Sequence, residues 1–292
     1  MIVGPFLASE ALAAGLLNRH ALRTRCRPLL PGVYIDRSMV ATLYDRTEAA
    51  WLWSRRQGVI AGAAAAALYG ARWVDNSCDV DLFHSSTKPP SGVRVHRGRL
   101  FPEEKRTVSG MLVTSPARTG FDLARLGLVA DVDALLKATG VTVADIDAVA
   151  GSHRGSPRLR LLEQVLAHVD AGAESPRESW LRLLLQRNGF PPVETQIEVR
   201  DEFGHFVARL DMGWKELKVA VEYDGDQHRT DRKQYVRDIR RIEEVQLLGW
   251  AVVRVFKEDS EAQIVRAVRA ARDRQGTRVT QRRKRNSDLA RG

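Results

Sequence analysis

The sequence predicts a multidomain chain: a helix-turn-helix start closed by a hairpin, an α+β middle region, and a carboxyl-terminal α/β module. Three observations carry this reading. At 292 residues the chain is long for a single core, so two or three domains are expected. Two turn-rich stretches, GSHRGSPR at 151–158 and AGAESPRE at 171–178, interrupt the helical and apolar runs. After them, helix-like and strand-like runs follow in the order α-β-β-β-α-β-α. The resulting division is 1–40, 41–150, a linker with a helix at 151–173, the α/β module at 174–275, and a basic flexible tail at 276–292.

In the first block, Ser9 is placed to cap a short helix through Ala14, with Gly15 as its break. Asn18 caps a second helix running to Arg25, and RPLLPGVYI turns at Pro31-Gly32 between two extended pieces. Helix, tight turn, helix and hairpin is the order of a winged helix-turn-helix. Its second helix would carry Arg19, His20, Arg23 and Arg25 towards DNA. A small helical cap with a solvated basic face has the same pattern.

From 42 to 70 the chain reads as two helices separated near Gly58, the second built on an alanine string. DVDLFH and GVRVHRGRL alternate like strands around the turn-rich SSTKPPSG. Ser115 and Pro116 open a further helix, on which Arg118, Asp122 and Arg125 form a solvated or ion-paired face. In the last module, Ser175 caps a helix with Pro176 at its first position, and Gly189 stops it. QIEVR, HFVARLDMGW and LKVAVEYD are strands. RKQYVRDIRRIEEVQLLG is a helix, WAVVRVF a strand and DSEAQIVRAVRAARD a final helix.

Composition narrows the partners. The net charge of +10, mostly from arginine, favours a polyanion such as DNA. No run approaches the roughly 20 apolar residues of a membrane span. The amino terminus lacks the basic region of a secretory signal. Cys26 and Cys78 form no metal-binding or disulfide pattern, which fits a reducing cytoplasm.

The decapeptide VAVEYDGDQH at 219–228 ends an apolar strand in acids. Alternation puts Leu217, Val219, Val221 and Tyr223 on one face, and Lys218, Ala220, Glu222 and Asp224 on the other. If Asp211 on the preceding strand faces position 220 or 222, its carboxylate joins the acidic face. Opposed or diagonal residues then lie within roughly 4.5–8 Å, close enough to share a divalent cation. Without a cation, like charges on one face repel each other. Glu178 either completes a capping box with Ser175 or adds another acidic ligand. Asp238 and Arg241, one helical turn apart, also read as a plain surface pair.

Asp211, Glu222-x-Asp224-Gly225 and His228, in this element order, resemble the PD-(D/E)xK nuclease superfamily. More narrowly, they are similar to the domain related to very-short-patch-repair (Vsr) endonucleases. Arg237-Asp238, Arg241, Gly249-Trp250 and Arg254 continue that pattern, over about 174–272. The resemblance implies a restriction-endonuclease-like fold that cleaves DNA with magnesium, or manganese in its place. It implies Asp211 and Glu222 as metal ligands and His228 as a general base. Asp224 occupies the superfamily's lysine position, as in the Vsr-like branch, and leaves charge stabilisation to Lys218, Arg241 or a second metal. FLASEALAAGLLNRHALR, PGVYI, GVIAGAAAAALYG and LVTSPARTGFDLAR resemble AbiEi-type antitoxins over roughly 6–130. That resemblance implies a DNA-binding autorepressor with an amino-terminal winged helix. The expected partner is DNA, and a homodimer or a toxin partner stays open. A transcriptional regulator with a non-catalytic nuclease-like domain is the alternative function.

Overall fold

The computed structural model describes residues 3–86, 88–224 and 232–289, with the backbone alone for 232–239 and 282–289. The chain divides into two compact units, Met1–Ala171 and Gly172–Gly292. Among the described residues it is an α+β protein with three sheets and eleven α-helices.

Unit one begins with β1 (Phe6–Leu7), α1 (Ala8–Ala13), α2 (Arg19–Arg25), β2 (Cys26–Leu30) and β3 (Val33–Asp36). The strands form a sheet in the order β1-β3-β2. Asn18 caps α2 as the sequence predicts, its Oδ1 accepting from the Ala21 N–H at 2.8 Å. Ser9 does not cap α1. Pairing of Leu7 with Val33 holds Leu7 extended at the N-cap position, so the helix starts before Ser9 and has no side-chain cap. Val33 packs with Ala49 and Leu52 of α3 (Leu43–Trp53), so the expected boundary at residue 40 runs through a shared core.

The segment after Gly58 is not helical from its start. Val59–Ala61 form β4, in the middle of a sheet ordered β6-β5-β4-β8-β7, and α4 (Gly62–Leu68) follows. All three β4 residues are buried, so the strand shows no alternation and its apolar run merges with the alanine string. The other strands are β5 (Val80–Phe83), β6 (Val93–His96), β7 (Lys105–Val108) and β8 (Met111–Thr114). Helices α5 (Pro116–Ala124), α6 (Val129–Thr139), α7 (Val143–Ser152) and α8 (Leu159–Leu166) complete the unit.

The face on α5 expected to be solvated or ion-paired is ion-paired and, at Arg118, buried. Arg118 is 3% exposed, with Glu104 at 2.8 Å and Asp122 at 3.0 Å, while Asp122 also pairs with Arg125 at 2.9 Å. His153 joins this network through Glu104 at 2.6 Å. Residues 151–171 are therefore not a free linker, and Leu162 and Val165 share a core with Phe121, Leu135 and Ile146.

Unit two follows the predicted order. It comprises α9 (Pro176–Arg187), β9 (Glu194–Arg200), β10 (Phe206–Trp214), β11 (Val219–Tyr223), α10 (Arg232–Leu247), β12 (Ala251–Val255) and α11 (Glu261–Leu289). The sheet order is β12-β11-β10-β9, with β11 and β12 parallel and the remaining pairs antiparallel. Val219 and Val221 pack with α9 and α11, whereas Ala220 packs with Val245 of α10 and with Trp250. The expected tail at 276–292 is helical as far as Leu289. Buried Gln275 anchors the helix by donating to the Gly249 carbonyl at 2.7 Å, and the Arg, Lys and Gln residues beyond it favour helix propagation.

Candidate functional site

Asp211 and Glu222 meet because β10 and β11 pair tightly. The register runs Trp214↔Val219, Gly213↔Ala220 and Met212↔Val221, and one further step along both strands brings Asp211 to Glu222. Gly213 makes this approach possible: a Cβ there would lie 2.1 Å from the Val219 carbonyl oxygen. Past Met212 the ladder is completed by a side chain, since the Tyr223 N–H donates to Asp211 Oδ2 at 3.0 Å. Burial first, then the charges of Glu178 and Glu222, push the Asp211 carboxyl up to about 7. The Tyr223 N–H and the Arg241 guanidinium act in the opposite direction and are outweighed.

Glu178 serves a local purpose as well. Its carboxylate accepts from the Glu174 N–H and the Ser175 hydroxyl, both at 2.9 Å, while its own N–H donates to Ser175 Oγ at 3.2 Å. These bonds order the start of α9, and the same buried side chain faces Asp211 electrostatically. Gln196 also donates to Glu178 at 3.4 Å, a contact between positions 18 residues apart that no local pattern signals.

Two arginines neutralise the other acids. Arg241 on α10 clasps Glu222 with both terminal nitrogens, at 3.1 and 3.2 Å. Such a fork matches the geometry of a carboxylate, and Glu222 is only 7% exposed. Arg254 on β12 pairs with Asp224. Lys218 stands elsewhere: it adopts a left-handed conformation before β11 begins, and its Nζ donates to the Leu248 carbonyl at 2.8 Å. It precedes β11, four positions before Glu222, and its amine is engaged at the end of α10. His228 lies outside the described residues, and so do the side chains of Arg237 and Asp238.

Magnesium is commonly held by one or two carboxylates together with waters. Asp211 and Glu222 fit that donor set, and a bound cation would offset the burial and the neighbouring acids that raise the Asp211 carboxyl. Among the described residues, no three His, Cys, Asp or Glu side chains form a metal-binding group. The fit is therefore to a two-carboxylate site in which Arg241 has to share or release Glu222.

In unit one, Arg19, His20, Arg23 and Arg25 are all exposed on α2, a helix with no buried residue. The helix is held at its ends, by the Asn18 cap and by Arg37, which donates to the Arg23 carbonyl at 3.1 Å. Arg19, His20 and Arg23 form no ion pair among the described residues, and Arg25 lies near enough to Asp36 to act on its carboxyl electrostatically. Trp214 and Trp250 are buried in the cores of unit two.

No family model and no solved structure matches the chain. Two proteins of Mycobacterium tuberculosis, each described only as uncharacterized, are 29% identical to it over 201 residues, covering 67% of this chain and 73% of theirs.

Proposed function

We propose that this is a DNA-binding protein whose second unit is a metal-dependent endonuclease of the Vsr-like PD-(D/E)xK type, cleaving or nicking phosphodiester bonds in repair or defence. The observation that carries the reading is the opposition of Asp211 and Glu222 at the end of a mixed sheet, with Glu178 close enough to perturb Asp211. In this reading Asp211 and Glu222 hold magnesium or manganese. When bound, the ion supplies polarisation of the scissile phosphate and a water of lowered pKa. Arg241 is the cation available to the phosphate, and Glu178 and Asp224 set the charge around the ligands. His228 is the candidate base. The amino-terminal segment is read as a winged helix. The β1-β3-β2 sheet behind an exposed basic α2 supports that, with Arg19, His20, Arg23 and Arg25 as DNA contacts.

The test is conversion of supercoiled plasmid to nicked circles in magnesium, run beside Asp211→Asn. The parent should nick and the variant should bind DNA without nicking; equal conversion by both would remove Asp211 from the chemistry.

A second reading has its own support. Glu222 and Asp224 are already paired with arginines, and Glu178 is engaged in capping. A regulator or type IV antitoxin-like repressor with a non-catalytic second unit would need no more than that. Tight duplex binding with no nicking in either magnesium or manganese would favour it.

A further inference from the structure

At the other end of unit two, an open groove of about 700 Å³ lies between the carboxyl-terminal end of α9 and the flank of α11. Its lining includes Asn188 and Phe190 on one side and Arg269, Arg272, Asp273 and Thr277 on the other. Leu217, also in the lining, precedes β11, whereas Glu222 lies near its far end. The extended strand from Val219 to Glu222, roughly 10 Å, separates the groove from the carboxylates.

Both arginines are stacked on aromatic rings. The Arg272 guanidinium carbon lies 4.5 Å from the Trp214 ring centre and 5.7 Å from that of Phe190, and Arg269 lies 5.6 Å from Phe190. Neither forms an ion pair with a carboxylate among the described residues. Arg272 Nε is buried and has no hydrogen-bond partner. A buried N–H without an acceptor costs free energy unless something supplies one. Stacking fixes the guanidinium plane and leaves its edge open, which suits a phosphate or carboxylate. Asp273 is the one acid in this lining, against two arginines. An adjoining hollow shares Asn188, Arg269 and Asp273 and runs along α11 past Arg266 to Glu261, and the exposed Arg274 and Arg278 lie on the same helix. From Glu261 to Gln281 the helix is roughly 30 Å long.

We infer that this groove binds phosphate groups of a nucleic-acid backbone, with Arg272 and Arg269 as the anion contacts. A phosphate on a free nucleotide has the same local chemistry. The length of the groove and the +10 charge of the chain favour the polymer. The inference goes beyond the proposed cleavage and does not depend on it.

The experiment uses the full chain in excess chelator, so that cleavage by Asp211 and Glu222 plays no part. Binding of a labelled duplex and of a labelled single strand is measured across a salt series, for the parent, Arg269→Gln, Arg272→Gln and the double variant. Circular dichroism checks the fold, and inorganic pyrophosphate is the competitor. The double variant should bind at least one of the two strands about tenfold more weakly at fixed salt. Its log–log salt slope should be shallower by about one to two units, at roughly 0.9 per lost phosphate contact. Arg272→Lys, which keeps the charge but loses the stacked plane, should fall between parent and Arg272→Gln. Unchanged affinity and slope for both strands would overturn the inference. So would a variant that loses only pyrophosphate binding, which would assign the groove to a small phosphate ligand. If Arg272→Gln does not fold, the exposed Arg269 carries the same test alone, with a slope change of about one unit.

Discussion

Asp211 keeps a proton to about pH 7, whereas an unfolded aspartate releases it near 3.9. Between those values the native state binds the extra proton. Stability therefore falls as pH rises from about 4 to about 7, and then levels off. Asp211→Asn keeps an acceptor for the Tyr223 N–H and removes the charge. Urea unfolding should show the variant gaining on its parent across that window, by a few kcal/mol at most; parallel stability curves would mean that Asp211 is not perturbed. Arg241→Gln should act in the opposite direction, because Glu222 stays nearly buried without its counter-charge. A cost of about 2–3 kcal/mol is expected, below the range for a fully buried pair because Arg241 is one-third exposed. Denaturant titration in chelator measures it. Asp211 and Glu222 were legible in the sequence because strand alternation is local. Their arginine partners lie 19 and 30 residues beyond the acids they neutralise, Arg241 from Glu222 and Arg254 from Asp224, and alternation says nothing about such pairs. Lys218 stands before the start of the strand, and alternation could not foresee that its amine is taken by the Leu248 carbonyl.

At the scale of elements, α2 owes its position to the Asn18 cap and the neighbouring hairpin, not to a buried face of its own. Its side chains are therefore available for contact at little cost to the fold. Replacing Arg19 and Arg23 together with Ala should leave the melting temperature nearly unchanged. Duplex binding should weaken, and the salt slope should flatten by up to about two units. A salt titration by fluorescence anisotropy decides this, and an unaltered slope would move DNA recognition away from α2. The sequence revealed the hairpin and the α-helices and strands of unit two through caps, turns and alternation, but not the 3-10 turn at Lys215–Leu217. It hid β4, whose three residues are buried on all sides and run directly into an alanine helix. The helical continuation of α11 was also hidden, because Gln275 anchors it through the Lys218 and Gly249 carbonyls, contacts distant in sequence.

At the scale of the molecule, the division after Ala171 determines which fragments can stand alone. Residues 1–130 reproduce the antitoxin-like stretch but remove most of α6 and all of α7 and α8. Leu135, Ile146, Leu162 and Val165 then leave the core around Phe121, and His153 leaves Glu104. That fragment should fail to unfold cooperatively, while residues 1–171 should show a two-state transition by circular dichroism. The boundary was hard to read because the turn-rich GSHRGSPR resembles a linker, although the chain on either side of it is packed. The acidic end of unit two has a practical consequence for handling the protein. Arg241 balances Glu222, Arg254 balances Asp224, and the Asp211 carboxyl, pushed up to about 7, carries only part of its charge at neutral pH. A domain organised by zinc collapses when its ion is stripped. Here purification and storage in EDTA should leave the melting temperature at pH 7 within about 1–2 °C of its value in metal-free buffer. Divalent ions then become a reagent to be added last, with folding already complete.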